Sequence, residues 1–190
     1  MNNVILTDAD GVLLNWEYAF NVWMQQKGYS LTEDYRDYYE MHKRYGISLE
    51  KKKELIQYFN ESAAIGFLPP LRDAVHYVRM LHERHGFVFH LITSLSLDPS
   101  AQSLRTQNIK KLFGETAFER FIYLDTGADK DEVLEMYKGS GYYWVEDKPE
   151  NYEAGDRLGL DCMLMEHSHN MDLVGYNIVK NWKEIYEKVA

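Results

Sequence analysis

The chain has a single cysteine, four prolines, no repeats and no apolar run long enough to span a bilayer. Each shortage excludes something. One thiol, Cys162, cannot form an internal disulfide, which suits a reducing compartment. Its setting, LDCMLM, reads as a buried strand, so Cys162 is expected in the core. Without a long apolar segment no membrane span is expected, and without a basic leader no signal peptide is expected; the default is a cytoplasmic protein. Basic charge is also short: 21 Lys and Arg stand against 30 Asp and Glu, a net charge of −9. That balance argues against binding a nucleic-acid polymer, though a local site for a small phosphorylated ligand remains compatible with it.

What is present is a globular composition, 45% hydrophobic in 190 residues, enough for one core with a modest insertion. The apolar runs at residues 4–8, 87–93, 121–124, 142–146 and 161–165 read as strands, the last of them closing the sheet. Helices are expected at 15–28, 32–45, 48–60, from Pro70 to about His85, from Pro99 to Phe113, from about Lys130, from Pro149 and over 181–189. Asp98 before Pro99 is an N-cap followed by proline in the first turn. Strand–helix alternation implies a parallel sheet with helices on both faces. The helical block interrupts that rhythm, so residues 15–66 are read as an inserted cap and residues 1–14 and 67–190 as the core.

In open parallel sheets, ligands bind beyond the carboxyl ends of the strands. Asp8 and Asp10 follow the first strand, Thr93 and Ser94 the second, Glu146 and Asp147 the fourth. Carboxylates gathered at one edge repel one another unless a hard cation sits among them, and Mg²⁺ prefers such oxygen ligands. Asp8 and Asp147 are the leading side-chain ligands, Asp10 could add its backbone carbonyl, and Asn151 could orient a metal-bound water. The pair His167 and His169 reads as a solvated loop.

The strings DADGVLL, LITS, a downstream lysine and VEDKPEN resemble, in order, the four motifs of the haloacid dehalogenase-like (HAD) phosphohydrolase superfamily. The segment DADGVLLNWE most resembles the first motif of 5′(3′)-deoxyribonucleotidases. The resemblance implies a Rossmann-like core, Mg²⁺ held by Asp8, Asp10 and Asp147, and a nucleoside monophosphate as substrate. It casts Asp8 as nucleophile and Asp10 as general acid and base, which requires a proton on Asp10 near neutral pH. It makes Thr93 and Ser94 phosphate donors and Lys130, in GADKDEV, the charge-balancing lysine, with Lys110, Lys111, Lys138 and Lys148 as competitors. Backbone N–H groups after Asp8 would add donors, and Trp16 would stack on the base. Dehalogenases of that superfamily lack the second aspartate, so Asp10 favours phosphate ester hydrolysis. The alternatives are a phosphatase for sugar phosphates or other small metabolites, and a non-catalytic binding protein that kept the fold.

Overall fold

The structure is a computed structural model that describes residues 3–35, 38 and 40–190. In chain order the elements are β1 (Val4–Thr7), α1 (Trp16–Gln26), α2 (Met41–Arg44), α3 (Leu49–Asn60), α4 (Ala74–His85), β2 (Val88–Ser94), α5 (Pro99–Phe113), β3 (Phe118–Leu124), α6 (Asp131–Leu134), β4 (Tyr143–Glu146), α7 (Pro149–Arg157), β5 (Asp161–Met165), β6 (Ile178–Val179) and α8 (Trp182–Val189). Short 3-10 turns follow α3 at Ala63–Phe67 and α6 at Glu135–Tyr137.

The six strands form one parallel sheet in the order β3-β2-β1-β4-β5-β6. The strands are apolar on both faces, as a sheet covered by helices requires. Ile5, Leu6, Phe89, Leu91, Ile92, Trp144, Val145, Met163 and Leu164 are all buried. Residues of opposite parity feed two cores. Ile5, Phe89, Val145 and Met163 pack on one side of the sheet, and Leu6, Ile92, Trp144 and Leu164 on the other. Cys162 lies in the second core, as expected of a buried strand residue.

Several boundaries differ from the sequence reading. The helix expected at 32–45 is helical only over Met41–Arg44 among the described residues; positions 36, 37 and 39 lie outside them. Pro70 does not open α4. It bridges to Leu14, Leu71 N–H donates to Leu13 O (2.8 Å), and Asn15 N–H donates to Pro69 O (2.9 Å). These bonds tie the chain leaving β1 to the chain returning at residues 69–71, so α4 begins only at Ala74. Asp73 turns its carboxylate to the first N–H groups of α8, accepting from Trp182 (3.0 Å) and Lys183 (3.1 Å). The 161–165 strand is not the last: β6, two residues long, pairs beside it, too short to leave an apolar pattern.

Between β1 and α4 an aromatic cluster joins α1 to α3. Trp16 stacks on Phe20 (4.7 Å between centroids, 8° between planes), and Phe59 meets Trp16, Phe20 and Trp23 edge-on at 5.3–5.6 Å.

Candidate active site

Because every strand runs the same way, all six carboxyl ends meet at one edge. The chain departs from β1 to β2 on one side and reaches β4 on the other, so the crevice opens above β1 and β4. The pairing Thr7↔Val145 and the bond from Asp8 N–H to Val145 O (3.0 Å) deliver Asp8 and Glu146 to that edge as neighbours.

Of the competing lysines, Lys130 reaches them. Its ammonium lies 2.8 Å from Asp8 Oδ1 and 2.6 Å from Glu146 Oε2, with the side chain 2% exposed. Burial acts against a charged lysine, but the two carboxylates outweigh it and hold Lys130 above its ordinary pKa. Glu146 is fully enclosed and its acceptor sites are filled. Oε2 takes Lys130 and Asn151 Nδ2 (3.1 Å), while Oε1 takes the N–H groups of Asp147 (2.9 Å) and Lys148 (3.1 Å). Burial alone would raise Glu146; Lys130 and these hydrogen bonds overcome it and hold the carboxyl below its usual range. Glu146 is therefore an anchor that fixes Lys130 and the turn into α7. Asn151 serves the same anchor, and its own carbonyl accepts from Trp144 Nε1 (3.0 Å).

Asp8 is pushed up to about 6, chiefly by burial, with Lys130 pulling the other way. Asp147 is raised above the usual carboxylate range by burial and by the charges of Glu146 and Asp8. Its carboxylate rests against Gly11, where an added Cβ would stand 2.5 Å from Oδ2, and Gly11 holds φ +78°. Both features demand glycine after the Asp8–Asp10 pair. The loop beyond β5 closes the far side, unlike the solvated loop expected. His167 Nε2 bonds Gly11 O (2.6 Å), and His169 Nε2 (3.0 Å) and Asn170 Nδ2 (2.9 Å) bond Asp147 O. Burial holds His167 below its ordinary value.

Asp8, Glu146 and Asp147 each offer an oxygen within 4.8 Å of the others. The donors are hard oxygens, three carboxylates face one lysine, and the buried Asp8 Oδ1 makes an ion pair but no well-aligned hydrogen bond. That set fits Mg²⁺ or a similar cation. With Glu146 occupied, Asp8 and Asp147 are the side chains left for it.

The remaining candidates divide. Asp10 points its carboxylate at Arg105, a residue of α5 that the sequence reading did not single out, and lies outside the three-carboxylate cluster. Thr93 is buried at the end of β2. Ser94 donates to Ala128 O (2.7 Å), binding β2 to the loop that carries Lys130. Of the N–H groups following Asp8, those of Gly11 and Val12 are committed to Leu14 O (2.9 Å) and Ala9 O (3.4 Å). Trp16 is half-buried, with one face on Phe20 and its indole N–H on Asn60 Oδ1 (3.0 Å).

The sheet order and its covering helices are those of the α/β HAD-like fold. A haloacid dehalogenase-like hydrolase from Streptococcus pneumoniae, SP0104, superposes with a TM-score of 0.67 at 12% identity, covering 100% of both chains. CbbY from Rhodobacter sphaeroides, solved with phosphate, gives 0.60 at 16% identity over 97% of this chain and 96% of its own; a mutant of it has been solved with xylulose-(1,5)-bisphosphate. YfnB from Bacillus subtilis, bound to magnesium, gives 0.61 at 15% identity over 97% of each chain. In sequence, an uncharacterised 32.4 kDa protein from the Gp30-rIII intergenic region of Enterobacteria phage T4 is 27% identical over 143 residues. That match takes in 73% of this chain and spans half the length of the phage protein. No family model matches the chain.

Proposed function

We propose that this chain is a Mg²⁺-dependent phosphomonoesterase that works through an aspartyl-phosphate on Asp8, with a ribo- or deoxyribonucleoside monophosphate as its natural ester. The observation that carries the reading is Asp8 itself. It is a buried carboxylate steered by one lysine and set beside a second carboxylate, Asp147, with which it can share a cation. Asp8 attacks phosphorus; the ester P–O bond breaks and the departing oxygen takes a proton from Asp10. Water then attacks the phosphoryl group, gives its proton to Asp10, and releases Asp8 as the carboxylate. Lys130 balances the charge of nucleophile and phosphoryl oxygens. Thr93 and Ser94 donate to the phosphate, Ser94 by turning from Ala128 O. Asp8, Asp147 and the backbone carbonyl of Asp10 would hold Mg²⁺, which when bound offsets the negative charge crowded at this edge. Residues 15–66 act as a cap that closes on the substrate, with Trp16 offering a ring to the base.

A second reading, a phosphatase for sugar phosphates, has its own support: Trp16 already spends one face and its N–H within the cap, and a fold neighbour was solved with a sugar bisphosphate. Phosphate release across nucleoside monophosphates and sugar phosphates, with Mg²⁺ or with chelator, separates them. Trp16→Ala should lower efficiency on nucleotides by about 10-fold or more while sparing an aryl phosphate, since stacking on an aromatic ring contributes about 1–3 kcal/mol per base. Equal losses on both would favour the sugar phosphate reading. No release that depends on Asp8, from any ester, would overturn both.

A further inference from the structure

Helix α5 begins at Asp98 and Pro99, directly beyond β2, and carries Arg105 on its second turn with no exposed surface. A guanidinium keeps its charge in a protein, so a buried arginine needs an anion. Among the described residues, Asp10 is the only carboxylate within ion-pair distance. Nη2 donates to Oδ2 (3.3 Å), while Nη1 lies 2.8 Å from Oδ1 as an ion pair without a well-aligned hydrogen bond. On both sides of Arg105, α5 is fastened to backbone: Gln102 Nε2 donates to Ser96 O (3.0 Å) and Asn108 Nδ2 to Leu68 O (3.1 Å). The helix that carries the guanidinium is thus anchored, and its charge and the Nη2 bond draw the Asp10 carboxylate toward it. Asp10 keeps 23% of its side chain exposed, so it stands between the buried cation and solvent. An apolar residue would fill such a site at least as well as an ion pair, so packing does not account for the charge.

We propose that Arg105 is a positioning residue for Asp10. It aims the carboxylate that exchanges a proton with the reacting oxygen, and its effect falls most heavily on the second half of the reaction. There the bond from water oxygen to phosphorus forms, the P–O bond to Asp8 breaks, the electron pair returns to Asp8, and the proton passes to Asp10. This inference rests on the phosphatase reading above. A good leaving group lowers the demand for an acid in the first half, but water attack still needs an aimed base.

The test is rapid acid quench of the wild type, Arg105→Met, Arg105→Lys and Asp8→Asn during turnover of p-nitrophenyl phosphate with Mg²⁺, reading both product and protein-bound phosphate. Arg105→Met should lose about 100-fold in kcat, with KM falling alongside it so that kcat/KM changes far less, as slowed breakdown of a covalent intermediate predicts. The fraction of enzyme carrying phosphate should rise above that of the wild type. Arg105→Lys, which keeps the charge and loses the fork, should fall between them. Unchanged turnover overturns the inference, and so does slower turnover with an unchanged phosphoenzyme fraction, which means both halves slow together, or with a fraction that falls in step, which marks lost fold. If Arg105→Met does not fold, the same ratio in Arg105→Lys decides. A wild type that matches Asp8→Asn, with neither turnover nor bound phosphate, overturns the phosphatase reading itself, which is a distinct outcome.

Discussion

Lys130 carries more than its own charge. It lies between two buried carboxylates and 5.2 Å from the centre of the Trp144 ring, so removing it strands both acids in a poorly solvated site. Lys130→Met is expected to cost about 3–5 kcal/mol, the range for breaking a buried ion pair, read by urea unfolding without metal. Its activity should fall about 100-fold or more, because a fixed charge beside the reacting group is lost. Cys162 makes the opposite case. Burial pushes its thiol up to about 12, so the thiolate is scarce at every pH below that value. Iodoacetamide at pH 8 should leave native Cys162 nearly untouched and label it quickly in urea; fast labelling of the native protein would show that β5 is not closed over. At this scale the sequence spoke through residues that break a local rule. Two aspartates flanking Ala9 repel each other and the glycine after them weakens any continuing strand, and they drew attention to Asp8 and Asp10. Arg105 broke no rule, since an arginine in a helix reading SLRTQN is ordinary, and only the fold reveals that it points inward.

Strands were legible because a sheet covered on both faces leaves unbroken apolar runs, and β1, β2, β4 and β5 fall within a residue or two of those runs. β3 extends to Phe118, three residues before its apolar stretch, because Glu119 and Arg120 are exposed there and mask the pattern. Pro70 misled for a physical reason. Proline suits a helix's first turn, but the bonds between residues 13–15 and 69–71 hold it extended. Two glycines separate packing from function at this scale. Gly155 brings α7 onto the sheet, where a Cβ would stand 2.5 Å from Trp144 Cδ1 and 2.9 Å from Cys162 Sγ. Gly155→Ala should cost about 1–3 kcal/mol as an overpacked core does, and leave cation binding intact. Gly11→Ala forces a Cβ against Asp147 Oδ2 in a left-handed turn. It should weaken Mg²⁺ binding by more than it weakens the metal-free fold, measured by calorimetry with and without the ion. Equal effects of the two variants on Mg²⁺ binding would contradict the close contact of Gly11 with Asp147.

The whole molecule carries a net charge of −9, and three of its carboxylates gather at one sheet edge. Among the described residues no helix is long and apolar enough to cross a membrane. An acidic protein with an acidic site is under electrostatic stress that a bound cation relieves. Mg²⁺ at 100 times its dissociation constant stabilises a folded protein by about 2.7 kcal/mol, which for a chain of this size corresponds to roughly 5–10 °C in Tm. That rise is expected for the wild type and is expected to vanish in Asp147→Asn; a rise that survives the substitution would place the ion elsewhere. The central claim concerns one atom, the Asp8 carboxylate oxygen that attacks phosphorus. Peptide mapping by mass spectrometry of protein quenched in acid during turnover with Mg²⁺ tests it most directly. The account predicts a single phosphoryl group on the peptide bearing Asp8, absent from Asp8→Asn; turnover with no phosphoryl group there, or with one on another residue, would contradict it.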